Sequence, residues 1–244
     1  MKLATLLIVA LPVVAQEPVL RIPPARVTVE VERRPVAIIA SGTVSRAAGP
    51  DHYSLSLSAD LSDLQAHATE ILQAGLDRSD DCGERIAILG SRLVPEQPRA
   101  ILTVDMHFER WACGKALGRT IKKRLVAGNG TVRLALTPAL VSPTQTRLDT
   151  EVREITADGT LGELLRSGSL GNALREKIQA SVQSALDKAT DARTTLPPAL
   201  QDLVRLREVS FGEAGGHLVF LTKADAVIPA SRLQQLGSGD LRRP

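Results

Sequence analysis

The chain has 244 residues, with 30 Lys and Arg against 27 Asp and Glu, two cysteines, and one Trp, one Tyr and three Phe. The near balance of charge argues against a dedicated nucleic-acid binder. So few aromatics disfavour a sugar-stacking cleft, and two cysteines without a histidine cluster make a poor zinc site.

The first fifteen residues, MKLATLLIVALPVVA, carry one lysine, an apolar run and a small residue before Gln16 and Glu17. This pattern reads as a secretory signal peptide cleaved after Ala15, with the mature chain periplasmic. The alternative is a buried N-terminal strand. Residues 16–50 read as a lead-in with strands. In it Val27, Val29 and Val31 alternate with polar residues, and a second strand spans 36–45. Residues 51–228 read as a single domain, and 229–244 as a flexible tail.

Within that domain, Tyr53, Leu55 and Leu57 alternate with serines. Leu61, Leu64, Ala68, Ile71, Leu72 and Leu76 then follow helical spacing, with Ser58 or Asp60 as candidate caps. A meander follows, with strands over 85–94, 100–111, 120–127, 131–140 and 146–157. Gly128-Asn129-Gly130 is the expected hairpin turn between the third and fourth of these. The two cysteines, Cys82 and Cys113, fall near paired ends of the first two strands. In an exported chain that spacing predicts a disulfide, and buried free thiols are the alternative. Residues 162–196 carry a long amphipathic helix with Leu170, Leu174, Ile178, Val182, Ala185, Leu186 and Ala189 on one face. Two strands, 203–211 and 217–227, close the order.

Catalytic material is sparse. His52, His67, His107 and His217 show no metal spacing, and neither HExxH nor G-x-S-x-G occurs. Asp77, Asp80 and Asp81 lack EF-hand order. No cofactor and no metal are expected. The fold class expected is α+β, with a highly twisted antiparallel sheet wrapped around the long helix and a second, shorter helix beside it.

Two stretches carry a resemblance. Tyr53-Ser-Leu-Ser-Leu-Ser-Ala-Asp-Leu-Ser-Asp-Leu64 is similar to the strand-then-helix entry of the tubular lipid-binding superfamily. Leu203-Val-Arg-Leu-Arg-Glu-Val-Ser-Phe-Gly-Glu-Ala-Gly-Gly-His-Leu218 is similar to its closing hairpin. Together with the element order, the likeness covers residues 52–228. It implies a seam that accepts acyl chains. By position the seam would take Leu64, Ile71 and Leu72 from the first helix, and Leu174, Ile178, Val182 and Ala185 from the second. Val104, Met106, Leu134, Leu136, Leu218 and Phe220 would face them from the sheet. The resemblance supplies no catalytic residue.

The functional expectation is therefore non-enzymatic periplasmic binding of a lipid or another apolar small molecule, with peripheral membrane contact and no nucleic acid. The alternative is an envelope structural module with a closed core and a protein partner. A hydrolase comes third, for want of a nucleophile with a matched base. N-terminal sequencing of the exported protein is expected to begin at Gln16; a chain retaining Met1 would overturn the export reading.

Overall fold

A computed structural model describes residues 18–49, 51–79, 82–116, 119–159, 162 and 203–229. Strand β1 (Pro18–Val31) pairs with β2 (Arg34–Arg46) through a tight turn at Glu32 and Arg33, both at positive φ (47° and 65°). That is the primed geometry hairpins favour, here without glycine or asparagine. Pro23 and Pro24 fall where the β1–β2 register shifts between Ile22 and Ala25. Edge strands tolerate prolines there because no ladder donor is needed.

Strand β3 (His52–Asp60) leads into α1 (Ser62–Ala66) and α2 (Ala68–Leu76). The short β4 (Arg78–Ser79) precedes β5 (Glu84–Glu96), β6 (Arg99–Ala116), β7 (Arg119–Ser142) and β8 (Gln145–Ala157). Strands β9 (Val204–Ala214) and β10 (His217–Val227) close the order.

The strands divide into two five-stranded antiparallel sheets, ordered β1-β2-β3-β10-β9 and β4-β5-β6-β7-β8. One core serves both. Val36, Ile38, Phe211, Leu218 and Phe220 from the first sheet meet Ile88, Leu102, Val104, Met106, Leu134 and Leu136 from the second, with Leu64, Ile71 and Leu72 from the helices. Phe211 and Phe220 are register partners and pack edge to face, their centroids 5.7 Å apart. Strand β9 is stitched to the turns of the other sheet. Phe211 N–H donates to Pro98 O at 2.8 Å, and Leu206 N–H to Pro143 O at 2.7 Å. A second cluster, around Tyr53, Leu55, Val44 and Leu206, lies further along the first sheet.

The expected wrapped sheet around one long helix is overturned. The described residues give an α+β fold of two antiparallel sheets whose only helices have five and nine residues. The stripe meant to be covered by a helix is covered by the opposite sheet. The long helix expected over 162–196 lies outside the described residues, apart from residues 162 itself. The single helix expected over 61–76 breaks at His67, whose Nδ1 lies 2.9 Å from Asp63 O. Asp60 does engage the helix start, its Oδ1 accepting from Ser62 N–H at 2.8 Å.

Gly128-Asn129-Gly130 is not a turn, because β7 runs unbroken through it. Gly130 pairs with Met106 on one side and Ala157 on the other. A Cβ there would lie 3.1 Å from Thr156 O, so the glycine permits close strand approach rather than reversal. Gly42 has the same role more severely: a Cβ would come within 2.7 Å of the backbone oxygen of Ser56.

The helices also close an edge. Beyond Ile86, β5 has no strand on its outer side among the described residues. Four side chains at intervals of four, Gln65, Thr69, Gln73 and Asp77, satisfy its backbone instead. Asp77 Oδ1 accepts from Ile88 N–H (2.8 Å), and Gln73 Nε2 donates to Ile88 O (2.9 Å). Thr69 Oγ1 accepts from Ser91 N–H (2.9 Å), and Gln65 Nε2 donates to Leu93 O (2.9 Å). Gln65 Oε1 also accepts from Leu218 N–H at 3.1 Å, so one amide bridges both sheets. Gln65→Ala is expected to lower unfolding free energy by about 1–3 kcal/mol, because two backbone groups lose their partner. Gln73→Ala removes one such bond and is expected to cost about half as much; urea denaturation ranks the two.

Candidate functional site

The residues expected to line an apolar seam are brought together, but as core. Leu64, Ile71, Leu72, Val104, Met106, Leu134, Leu136, Leu218 and Phe220 all fall in the one buried cluster, none more than 7% exposed. Leu174, Ile178, Val182 and Ala185 lie outside the described residues.

Among the described residues, two of the concavities that open on the surface bear on the site. One, of about 520 Å³, lies between β1, β2 and α1 and is lined by Arg26, Ala37, Ile39, Asp63, Gln65 and His217 among others. Its central polar groups already have partners. Asp63 Oδ2 accepts from Ala37 N–H at 2.7 Å, and Gln65 bridges the sheets. The other, of about 330 Å³, lies over β6, β7 and β8 beside Asp105, Asn129 and Thr131. Thr131 Oγ1–H donates to Asp105 Oδ1 at 2.6 Å. Among the described residues no group of three or more His, Cys, Asp or Glu could hold a metal ion. Asp77 is occupied with Ile88; Asp80 and Asp81 lie outside the described residues.

Among the described residues, the far end of the β6–β7 hairpin stands exposed. Residues 112–115 and 120–125 are all exposed, although the two strands stay paired from Trp111 with Arg124 out to Ala116 with Arg119. The arm reaches roughly 15–20 Å past the core at strand rise. Its base is locked in three ways. Cys82 and Cys113 are joined, as expected, with Cα atoms 5.5 Å apart. Trp111 N–H donates to Gly83 O at 2.7 Å. The third lock is Glu109.

Glu109 lies on the outer face of β6, on the side opposite Met106 and Phe108. Its Oε2 accepts from the Trp111 indole N–H at 2.8 Å, and its Oε1 from Arg124 Nη1 at 3.2 Å. Arg85 Nη1 stands 3.8 Å from Oε2, and its guanidinium lies 5.0 Å from the centre of the Trp111 ring. His107 Nε2 is 3.6 Å from Oε1, while His107 Nδ1–H donates to Asn129 Oδ1 at 2.7 Å. One carboxylate therefore holds β5, β6 and β7 together. The Trp111 hydrogen bond and the Arg124 and His107 contacts hold its carboxyl below the ordinary glutamate value. Among the described residues the groups hydrogen-bonded or ion-paired to it are Trp111, Arg124, Arg85 and His107, and the arrangement fixes strands.

Sequence reasoning missed this cluster. The signal available was alternation: His107, Glu109 and Trp111 share a face of β6, opposite the buried Val104, Met106 and Phe108. Placing Arg85 and Arg124 beside them required the register on both flanks.

No family model, no curated protein and no solved structure matches this chain.

Because the folded state favours charged Glu109, the stability it lends is full above the unfolded pKa and is lost as pH falls through the lower folded value. Trp111 is the single tryptophan, so its emission reports this titration. Acidification is expected to change that emission with a midpoint below the ordinary glutamate value, and Glu109→Gln is expected to abolish the transition. A midpoint at or above the ordinary value would contradict the carboxylate's grip on the indole.

Proposed function

We propose that the chain is an exported, non-catalytic interaction module of a bacterial envelope, with a closed apolar core and its contact surface on the outside. The observation that carries this reading is the burial of Leu64, Ile71, Leu72, Val104, Met106, Leu134, Leu136, Leu218 and Phe220 in one cluster. Side chains that fill a core at native density leave no room for a guest without opening it. The Cys82–Cys113 bond supports the oxidising compartment that the N-terminal run implies. The arm, raised clear of the body and cross-linked at its root, supports an exterior role.

A lipid carrier would behave differently. Native mass spectrometry of gently purified protein is expected to give the bare polypeptide mass. Stoichiometric acyl lipid on the protein would return the carrier reading. Turnover in ester or glycoside panels that vanishes on changing one side chain would return the hydrolase.

A further inference from the structure

We propose that the β6–β7 arm docks on an anionic phospholipid surface, its cations meeting headgroup phosphates and its aliphatic side chains entering the interfacial layer. This rests on the reading of the chain as an exterior-acting module and names its partner. The described arm and its root, 110–115 and 120–125, hold the basic residues Arg110, Lys115, Lys122, Lys123 and Arg124 and no acidic one, Arg124 being the member already held by Glu109. The next acidic residue along the chain is Asp149. The whole chain exceeds neutrality by only three charges, so the arm accounts for all of its positive excess.

Charge is interleaved with oil. Ile121 is 56% exposed and Leu125 57%, flanking Lys122-Lys123-Arg124. Other large apolar side chains left outside, such as Val19, Leu89 and Val227, sit singly on different strands. Such scattered exposure is ordinary. Two aliphatics among cations on one projecting arm match the pairing that peripheral membrane elements use, apolar burial plus attraction to anionic lipid.

The alternatives fit less well. Single-stranded nucleic acid would call for aromatic platforms. The arm's single aromatic, Trp111, is already held by Glu109 and lies under Arg85. Ala112 and Gly114, register partners of Lys123 and Ile121, leave that side low, and a Cβ on Gly114 would meet nothing within 4 Å. Lys123 and Ile121 therefore stand out from that side of the ribbon, where a surface can meet both.

The test uses the full mature chain and sedimentation with phosphatidylcholine vesicles, either pure or containing about one-third phosphatidylglycerol. Binding is expected to the anionic vesicles alone and to weaken as salt shortens the screening length from about 10 Å at 0.1 M to about 3 Å at 1 M. Each basic group near an anionic leaflet is worth about fivefold, so the double variant Lys115→Gln and Lys123→Gln is expected to bind roughly 25-fold more weakly. Ile121→Ser is expected to weaken binding several-fold. Both variants change exposed positions, so an unchanged urea transition certifies the fold. Equal binding to neutral vesicles, no binding at all, or undiminished binding by the double variant would overturn the proposal. So would arm-dependent binding to an oligonucleotide or to polyglutamate with vesicles ignored. Failure here is separable from failure of the module reading. Protein that ignores vesicles yet has a bare native mass loses the membrane and keeps the module, whereas acyl lipid held inside it removes the module whatever vesicles show.

Discussion

The fold depends on how the open edge of β5 is satisfied. A strand edge left bare inside a protein carries unpaired backbone groups, each worth about 1–3 kcal/mol if buried without a partner. Here β4 covers only two residues, pairing Arg78 with Ile86 and Ser79 with Arg85. The preceding helices take over at the next ladder position, through Asp77 on Ile88, and continue through Gln73, Thr69 and Gln65. Spacing of four places these side chains on one stripe. The apolar stripe beside it, Ala68, Ile71, Leu72 and Leu76, is buried in the shared core. A short amphipathic segment thus caps a sheet with its polar row and fills a core with its apolar row. Because Gln65 also reaches Leu218, the same segment sets how the two sheets meet at that end.

A second constraint works at the opposite end of the second sheet. The disulfide, the Trp111–Gly83 backbone bond and the Glu109 contacts all act within a few residues of one another. The covalent link alone closes a separation of 31 residues, for which restriction of the unfolded chain predicts about 2–4 kcal/mol. These restraints let β6 and β7 continue as a paired ribbon after the core has ended. An unanchored two-stranded ribbon is marginal in water. The arm's order is therefore supplied from its root.

Much of the strand layout was legible in the sequence, because alternation survives wherever one face is buried. Val27, Val29 and Val31, and Tyr53 with Leu55, read correctly, as did the cysteine pairing. Three features were not. Asn129-Gly130 has turn chemistry, but long-range pairing on both flanks outweighs it, and Gly130 serves close packing instead. The true β1–β2 reversal uses Glu32 and Arg33, which carry no turn signature. Division into two sheets cannot be read from alternation, which reports that a face is buried and not what buries it. For the same reason alternation marked Val104, Met106, Leu134, Leu136, Leu218 and Phe220 as inward-facing, while their packing in one core with the opposite sheet emerged only from the structure.

The Glu109 cluster and the arm together separate stability from contact. Glu109, Arg85, Trp111 and Arg124 spend their polar groups on one another, so they offer little to a partner. Beyond them, side chains such as Lys115, Ile121, Lys123 and Leu125 contribute nothing to the core they project from. An exposed aliphatic forgoes about 1.5–3 kcal/mol of burial that a core position would have supplied. Among the described residues Val19, Ile39, Leu89, Val141 and Val227 forgo it as well, but Ile121 and Leu125 do so where positive charge is concentrated. Oil and charge in one place favour a partner that offers both an anionic face and an apolar interior immediately behind it. A lipid leaflet presents those two layers in that order, which is what the proposed docking of the arm requires.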